Sequence, residues 1–396
     1  MSLKAKYNFL HLFYWFTGCC INGFIAVFLQ SKGLSNTEIG IVTGGSCVAT
    51  IFLSPFMSSL ISKIKGMTIK KLMTFLMLAT VLLYIAMAFL PIPAFLVMIF
   101  YVIMYALNMS TVPMLTMIAM NYINEGTYVN FGLARGIGSA SWATSALIFG
   151  QAVSFLGANI LSIAYCVFAL VTLFILYHLP ESKITKTEEV QEEGSVVTVI
   201  KKYKIFFFLL LGFCFMFSGS TAIGTYLINI VKSLGGNTSL YGVAMFAMAF
   251  SELPVMMTVP KLMKKFNSVT LILVASIFYI CRNYTIGLAP NLIILIIGMM
   301  FQGLSYGLFT GVITYYVTYN LDTQDQMSGQ TMIGIMTSGI GSTLGNVLGG
   351  ILQDTIGLNA LFTFVYLMTA LGAVIIFICK FVLNCKQKLE IRENRN

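Results

Sequence analysis

The sequence predicts an all-α membrane protein in which twelve transmembrane helices form two pseudo-symmetric six-helix bundles. Hydrophobic residues make up 58% of the 396-residue chain and charged residues only 9%, whereas charged residues are about a quarter of an ordinary soluble domain. Long apolar runs recur along the whole chain, and similar short motifs return after about half its length. Together these three observations predict two related helical bundles embedded in a bilayer.

Each apolar run reaches the roughly 20 residues that a helix needs to cross the hydrocarbon core. Only helices and closed barrels satisfy the backbone in lipid, and these unbroken runs lack the alternating pattern of a barrel. The predicted spans, in chain order, are residues 8–30, 39–62, 71–90, 94–122, 131–157, 159–179, 205–231, 240–260, 268–289, 291–319, 330–353 and 358–383.

The two halves of the chain look like copies of one another. Residues 136–139 and 339–342 both read GIGS, and residues 157–159 and 357–359 both read G-x-N, so the offset stays between 200 and 203 residues. Two parallel six-helix halves related by an axis along the membrane normal are the architecture of the major facilitator transporters. Such folds hold the substrate near the midplane, between the halves, and expose it alternately to each side.

The domain organisation follows from the charged segment between predicted spans six and seven. Residues 180–204 are the only long polar stretch between spans, and an acidic and basic run of this kind is typical of solvated chain. The predicted parts are an N-terminal six-helix bundle (1–179), a cytoplasmic linker (180–204), a C-terminal six-helix bundle (205–383) and a cytoplasmic tail (384–396).

The distribution of basic residues predicts that both termini are cytoplasmic in the cell membrane. Nineteen of the 23 Lys and Arg residues lie in the termini and loops of one side, whereas only Lys32 and Lys232 lie in loops of the other. Basic loops are retained in the cytoplasm. The net charge of +10 is therefore a topology signal and does not indicate a nucleic-acid partner.

Several classes of protein are disfavoured by the residue pattern. The eight cysteines lie within the spans or at a helix end and form neither a disulfide framework nor a metal-site spacing. No cleavable signal is evident, because the first apolar run is too long for one. No paired-carboxylate or nucleophile constellation predicts an enzyme.

We expect no metal or cofactor, and a monomer whose partners are a small-molecule substrate, coupling protons and the lipid bilayer.

Ionisable residues inside spans are functional candidates, because charge is costly in lipid unless it is paired or faces water. Glu252 is the only acid in the middle of a predicted span, and Pro254 follows it. Arg135 and Arg282 are the two basic residues inside spans. The alternatives are a structural ion pair between Glu252 and one of these arginines, or snorkelling of either arginine to the nearer interface.

The segment 131–142 carries both an arginine and a tryptophan inside a glycine-rich span. Trp142 follows Arg135 by two helical turns, so both lie on one helix face. An indole in a cavity offers a flat surface for a sugar ring, and the alternative is a packing aromatic. We expect Trp15 to be a packing residue without such a partner, and His11 and His178 to lie at the interface.

Residues 130–142, NFGLARGIGSASW, resemble span five of the lactose permease type of major facilitator, the oligosaccharide/proton symporters. The segments LSNTEIGI, SIFYICRN and QDTIGLNALF resemble the same family more weakly. The resemblance implies that Arg135 hydrogen-bonds substrate hydroxyls, that Trp142 stacks on a sugar ring and that Arg282 belongs to the proton-coupling region. Glu252 is similar to the family's carboxylate in span eight, displaced by about one helical turn.

Three further polar residues complete the predicted site. Ser139, Asn229 and Gln302 are predicted to bind substrate together with Arg135 and Trp142, while Glu252 and Arg282 are predicted to couple protons. Gln302 stands near the place of the family's histidine in span ten.

The chain also departs from the family. The carboxylate that pairs with the span-five arginine falls at about Thr116 or Met117, and the buried acids of span seven fall near Thr221 and Gly224. The lysine partners of those acids fall near Met299 and Ser338, so both sides of each pair are replaced together, as the cost of a stranded buried charge requires. The usual proton relay is missing, and galactoside specificity does not follow from the resemblance.

The leading functional hypothesis is a secondary active transporter that moves a small polar solute, a sugar or a nucleoside-like molecule, by alternating access. One alternative is an exporter of drugs or amphipathic compounds, since 24 Met and 32 Phe residues could line an adaptable cavity. Another is a non-transporting membrane receptor or assembly protein that retains a transporter fold.

Overall fold

The structure, a computed structural model, describes residues 2–127, 129–181 and 196–393, and each regular element within these ranges is helical. The helices of the first half are α1 (Leu3–Gly18), α2 (Ile25–Ser31), α3 (Asn36–Lys63), α4 (Ile69–Phe89), α5 (Ala94–Ser110), α6 (Val112–Asn124), α7 (Phe131–Leu156) and α8 (Ile160–Tyr177). Those that follow are α9 (Val196–Lys202), α10 (Lys204–Ser233), α11 (Thr238–Met263), α12 (Ser268–Gly287), α13 (Leu292–Met300), α14 (Leu308–Asn320), α15 (Thr323–Gly334), α16 (Ser342–Thr355) and α17 (Leu358–Glu393).

The predicted all-α membrane fold is confirmed. In the described part of the chain, ten helical stretches are long and apolar enough to cross a membrane, and the bent pair formed by α1 and α2 gives an eleventh. The remaining predicted span corresponds to α7, which has 26 residues. Because α7 is rich in glycine and serine, its mean hydropathy is lower than that of the other spanning helices.

The first span of each half ends in the same kind of turn. Gly33 (φ 82°) and Gly235 (φ 78°) lie 202 residues apart and both adopt the left-handed conformation that glycine tolerates best. The N–H of Gly33 donates to the carbonyl of Gln30 and that of Gly235 to the carbonyl of Lys232, both at 3.0 Å. This matched turn supports the predicted duplication.

By their contacts the residues group into two compact units, residues 1–189 with 225–249 and residues 190–224 with 250–396. Helices α10 and α11 therefore each contribute to both units, and α10 has a non-helical residue, Tyr226, next to the boundary. The predicted bundle boundaries at 179 and 205 stay predictions. Residues 182–195 of the predicted linker lie outside the described residues, and α17 continues through most of the predicted tail to Glu393.

The first span is broken in the first unit. A π-helical turn at Cys19–Gly23 separates α1 from α2, and the helix axis bends by 55°. A broken helix frees backbone carbonyls that must find donors inside a membrane. The hydroxyl of Tyr84 donates to the Cys20 carbonyl (3.1 Å) and that of Tyr101 to the Ile21 carbonyl (2.8 Å), so α4 and α5 hold the break in place.

Helix α11 also reaches this break. The hydroxyl of Tyr241 donates to the carbonyl of Gly23. One residue further on, Gly242 packs against α7, where a Cβ built on Gly150 would lie 2.8 Å from the Gly242 Cα. Only glycine permits so close an approach of two helix backbones. The N-terminal end of α11 is thus closely packed against α7 and the broken span.

The second unit has its own apolar core between α10, α12, α14 and α17. Phe213, Ile272, Phe309, Val312 and Ile376 are each 0% exposed in it. These helices form a packed scaffold for the polar side chains of the second unit.

Candidate functional site

Arg135 and Ser139 lie one turn apart on α7. The helix begins just before them, where the Asn130 side chain accepts a hydrogen bond from the N–H of Leu133 (2.9 Å). Arg135 Nη1 donates to Ser139 Oγ at 2.9 Å. The arginine side chain is exposed on the surface of the first unit. The structure therefore brings these two predicted substrate-binding residues together.

Trp15 of α1 lies against the same arginine, in a contact that the sequence pattern does not predict. The Arg135 guanidinium carbon is 4.4 Å from the centroid of the Trp15 ring, within the range of a cation–π interaction. Trp15 was expected to be a packing residue without a polar partner. Spacing along one helix cannot show which residue of another helix lies opposite, so the sequence held no signal for this pair.

Trp142 lies next to the break in the first span. A Cβ built on Gly23 would be 3.3 Å from Trp142 Cζ2, which places one edge of the indole directly against the π-helical turn. The Trp142 side chain is half-buried. Glycine at position 23 therefore lets the broken span and the α7 indole pack together.

His11 is buried in the first unit, so the expectation that it lies at the interface is wrong. Its side chain is 1% exposed, and Nε2 shares a hydrogen bond with the Tyr7 hydroxyl (2.9 Å). Its ring meets the ring of Phe131 edge to face. His11 packs α1 against the start of α7, the helix that carries Arg135.

Asn229 lies in a cluster of amide side chains formed with the ends of α2 and α3. Gln30 Nε2 donates to Asn229 Oδ1 (2.7 Å), and Asn229 Nδ2 donates to Asn36 Oδ1 (2.8 Å). Tyr226, one helical turn earlier, donates its hydroxyl to the Asn36 carbonyl (3.0 Å). The structure thus places Asn229 in a helix-to-helix contact.

Arg282 is the buried cation of the second unit. It is 1% exposed, which excludes the snorkelling alternative. Its Nη1 donates to Ser220 Oγ (2.7 Å) and Asn283 Oδ1 (2.9 Å), and Asn283 Nδ2 donates to Thr369 Oγ1 (2.7 Å). Arg282 Nε has no hydrogen-bond partner. Neutral oxygens from α10 and α12 therefore hold the guanidinium.

Glu252 is half-buried on α11, and its charge attracts that of Arg282. The helix around it packs closely against the π-helical turn Gly303–Gly307. The Gly303 N–H donates to Ser251 Oγ (3.1 Å), and a Cβ on Gly307 would lie 3.6 Å from the Glu252 Cα. The two predicted proton-coupling residues therefore lie in the same unit, where the charge of Glu252 attracts that of Arg282.

Gln302 immediately precedes the same π-helical turn. Its Oε1 is buried without a hydrogen-bond partner, as is the hydroxyl of Tyr279 on α12. Unpartnered buried polar atoms are unfavourable, and π-helical turns often occur at functional sites. These atoms are suited to hydrogen-bond a polar ligand or water.

Lys202 forms an ion-pair cluster in the second unit that the sequence analysis did not predict. Its Nζ lies 2.6 Å from Asp322 Oδ2 and 2.7 Å from Asp325 Oδ2, and the Tyr203 hydroxyl donates to Asp325 Oδ2 (3.0 Å). The hydrogen bond from Lys202 holds the pKa of Asp322 below its ordinary value, and the reciprocal bond raises the pKa of Lys202. The cluster fastens α9 to the start of α15.

The predicted site residues therefore fall into three groups. Arg135, Ser139 and Trp142 lie on α7 in the first unit, and Asn229 lies in the amide cluster of that unit. Gln302, Glu252 and Arg282 lie in the second unit. Within the described ranges, no group of three or more His, Cys, Asp or Glu side chains could hold a metal ion.

Its many apolar spanning helices and glycine-packed helix contacts define the chain as a polytopic membrane protein. Residues 4–364 match the model of the MFS_1 like family, and the chain belongs to that family. This confirms the predicted membership of the major facilitator class and the predicted transport function, and it disfavours an enzyme.

Individual relatives are distant in sequence. The chain is 21% identical over 277 residues to a maltose permease of Geobacillus stearothermophilus, covering 70% of each chain. Among solved structures it is similar to the nucleoside transporter NupG (TM-score 0.82, 13% identity, 97% and 99% coverage). It is also similar to a D-xylose-proton symporter (TM-score 0.70, 14% identity, 96% of both chains). These structural matches confirm the fold.

Proposed function

We propose that the protein carries a sugar or a nucleoside-like solute across the cell membrane by alternating access, with coupling to protons. The observation that carries the proposal is the arrangement on α7, where Arg135 and Ser139 are joined by a hydrogen bond beside an aromatic ring. A guanidinium is a planar multiple donor suited to hydroxyl-rich ligands, and the similarity to a maltose permease supports a sugar.

Each predicted residue has a role in this proposal. Arg135 and Ser139 bind substrate hydroxyls, and Trp142 offers its exposed indole surface to the ring of the solute. Gln302 contributes its unpartnered Oε1 as an acceptor. Asn229 contacts substrate when the amide cluster with Gln30 and Asn36 opens during the transport cycle.

Glu252 and Arg282 would couple transport to protons. Protonation of Glu252 removes the attraction between the two charges, and the freed Arg282 charge must then be balanced by its neutral partners or by substrate. The protein is proposed to act as a monomer with both termini in the cytoplasm, as the distribution of basic loops indicates.

The test of the binding role is saturable uptake of radiolabelled maltose, D-xylose and uridine into proteoliposomes that contain purified protein. We expect Arg135→Gln to raise KM by about tenfold to a hundredfold, because a hydrogen bond from a charged group is worth about 1.5–3 kcal/mol. Lys201→Gln removes an equal charge from an exposed position of α9 and should leave KM unchanged. An unchanged KM in Arg135→Gln would contradict the proposed site.

A further inference from the structure

Helix α1 places an aromatic face against the arginine of α7. The Arg135 guanidinium carbon lies 4.4 Å from the Trp15 ring centroid, and its Nη1 is held by Ser139 Oγ at 2.9 Å. A cation within about 6 Å of an indole centroid is attracted to the ring. The ring and the hydroxyl together restrict both the position and the rotation of the guanidinium.

Two glycines, Gly18 and Gly138, lie beside the Trp15 ring. A Cβ built on Gly138 would overlap the indole, lying 2.6 Å from its Nε1, whereas a Cβ on Gly18 would be at an ordinary 3.5 Å from Cε3. The edge of the ring also meets Tyr14, with centroids 5.6 Å apart. Glycine at position 138 thus creates the space in which the indole lies against α7.

The indole N–H takes no part in this arrangement. Trp15 Nε1 is buried without a hydrogen-bond partner, and an unpartnered buried donor is unfavourable compared with a carbon atom in the same place. The contribution of Trp15 to the site therefore comes from the face of its ring.

We propose that Trp15 is a positioning residue, whose ring holds the Arg135 guanidinium in the orientation that binds the hydroxyl groups of a sugar or nucleoside. This inference rests on the proposed role of Arg135 in substrate binding. Fixing a flexible side chain before the ligand arrives lowers the entropic cost of binding. The indole acts on substrate through the arginine.

The first test compares Trp15→Phe with Trp15→Leu in the proteoliposome assay with radiolabelled maltose, D-xylose and uridine. Phenylalanine keeps a smaller aromatic face and loses the unpartnered N–H together with part of the fused ring, so KM should stay within about threefold of wild type, given the small energy at stake. Leucine removes the face, so KM should rise about 2- to 30-fold with kcat unchanged. A loss of kcat alone in Trp15→Leu, or equal KM values in the two variants, would overturn the proposal.

A second pair of variants leaves both partners in place. Gly138→Ala forces the indole to move away from α7 and should raise KM as Trp15→Leu does. Gly18→Ala adds the same methyl group next to the same ring at an ordinary contact distance, so its KM should equal that of wild type. Equal KM values for both alanine variants would overturn the proposal even if Trp15→Leu fails to fold.

The double variant Trp15→Leu with Arg135→Gln separates this inference from the proposed function. If Trp15 acts through Arg135, the double variant should have the KM of Arg135→Gln alone, because the two effects share one interaction. Additive effects would mean that Trp15 acts independently and would overturn the inference while leaving the binding role of Arg135 intact. An unchanged KM in Arg135→Gln alone would overturn both.

Discussion

Arg282 is a fully buried cation whose guanidinium is held by neutral side chains from two helices. Ser220 on α10 and Asn283 on α12 accept its hydrogen bonds, and Glu252 adds a longer-range attraction. Removing one partner of a buried charge leaves a desolvated group unsatisfied. The stability of the second unit should therefore depend on these individual hydrogen bonds.

We expect Ser220→Ala to lower the free energy of unfolding by about 1–3 kcal/mol, since Arg282 Nη1 loses an acceptor. Ser218→Ala is the matched control, because the buried Ser218 hydroxyl donates only to a carbonyl of its own helix, that of Phe215 (2.7 Å). Thermal unfolding of the purified variants in detergent measures the difference. A similar loss of stability in both variants would argue against the Arg282 cluster as the cause.

The residue scale also shows what the sequence could predict. Arg135 and Ser139 lie four residues apart and therefore share a helix face, and Glu252 and Arg282 were singled out because intramembrane charges are rare. The contact between Arg135 and Trp15 on α1 was not predicted. Which of the two tryptophans lies against the arginine depends on how α1 packs against α7. The sequence shows a glycine at position 138, but it does not show that the Trp15 ring packs against this glycine.

Among the helices, α7 and α11 pack closely against each other in the first unit. Gly150 and Gly242 let their backbones meet, and near the end of this contact Ser239 Oγ donates to Gln151 Oε1 (2.8 Å). Alternating access requires contacts at one end of the fold to close and reopen in each cycle. We infer that this contact must separate during transport.

A cross-link between α7 and α11 should therefore stop transport. Gln151→Cys and Ser239→Cys are introduced together where Cys281 and Cys385 are replaced by serine. This protein should lose uptake after treatment with a short bifunctional methanethiosulfonate reagent, which forms a disulfide with each cysteine and releases methanesulfinate. Reduction should restore uptake, and each single cysteine variant treated in the same way should stay active. Full uptake by the cross-linked protein would show that this contact does not open.

Ion pairs between Lys202 and two aspartates attach the short helix α9 to the start of α15. The depressed pKa of Asp322 means that the unfolded state binds protons more readily, so the ion pair stabilises the attachment above the ordinary pKa of 3.8. This contribution is lost as the pH falls through the lower pKa of the folded state. Lys202 is charged throughout that acid range, because even its ordinary pKa of 10.5 lies far above it.

Amide hydrogen exchange of α9, corrected for the intrinsic pH dependence, measures this attachment. Asp322→Asn should exchange faster than wild type at pH values between about 5 and 8, where native carboxylates are ionised. The difference should shrink below pH 3.8, where Asp322 in the wild type begins to take up a proton. The exposed neighbour substitution Lys201→Gln should exchange like wild type, and a difference that persists unchanged in acid would contradict the ion-pair account.

Among the helices, the spans could be predicted from the sequence, whereas the break in the first span could not. Long apolar runs predicted the spans closely, because hydropathy and length decide which segments can cross a bilayer. The break at Cys19–Gly23 was not predicted. Hydroxyl groups on other helices stabilise the break, namely those of Tyr84, Tyr101 and Tyr241. The local sequence around the break therefore does not predict it.

For the whole molecule, the internal repeat was the most informative feature of the sequence. Gly157 (φ 79°) and Gly357 (φ 110°) follow α7 and α16 at equivalent places, as their shared G-x-N motif suggested. Conserving a left-handed glycine at a helix end preserves a turn that other residues adopt at a cost. Substrate identity is not encoded at this scale, because one fold serves many solutes.

Proton coupling is a property of the whole molecule that one substitution tests. Glu252→Gln keeps the size of the side chain and removes its proton exchange, so the variant should exchange solute across the membrane without accumulating it. Wild-type protein in the same vesicles should do both. Unchanged accumulation in Glu252→Gln would show that protons are coupled elsewhere or not at all.

The central claim is tested most directly by uptake of radiolabelled maltose, D-xylose and uridine into proteoliposomes under an imposed inward proton gradient. We expect the wild-type protein to accumulate at least one of these solutes above its external concentration, and a proton ionophore to abolish the accumulation. Absence of uptake and of exchange for all three solutes, with the gradient in either direction, would contradict it.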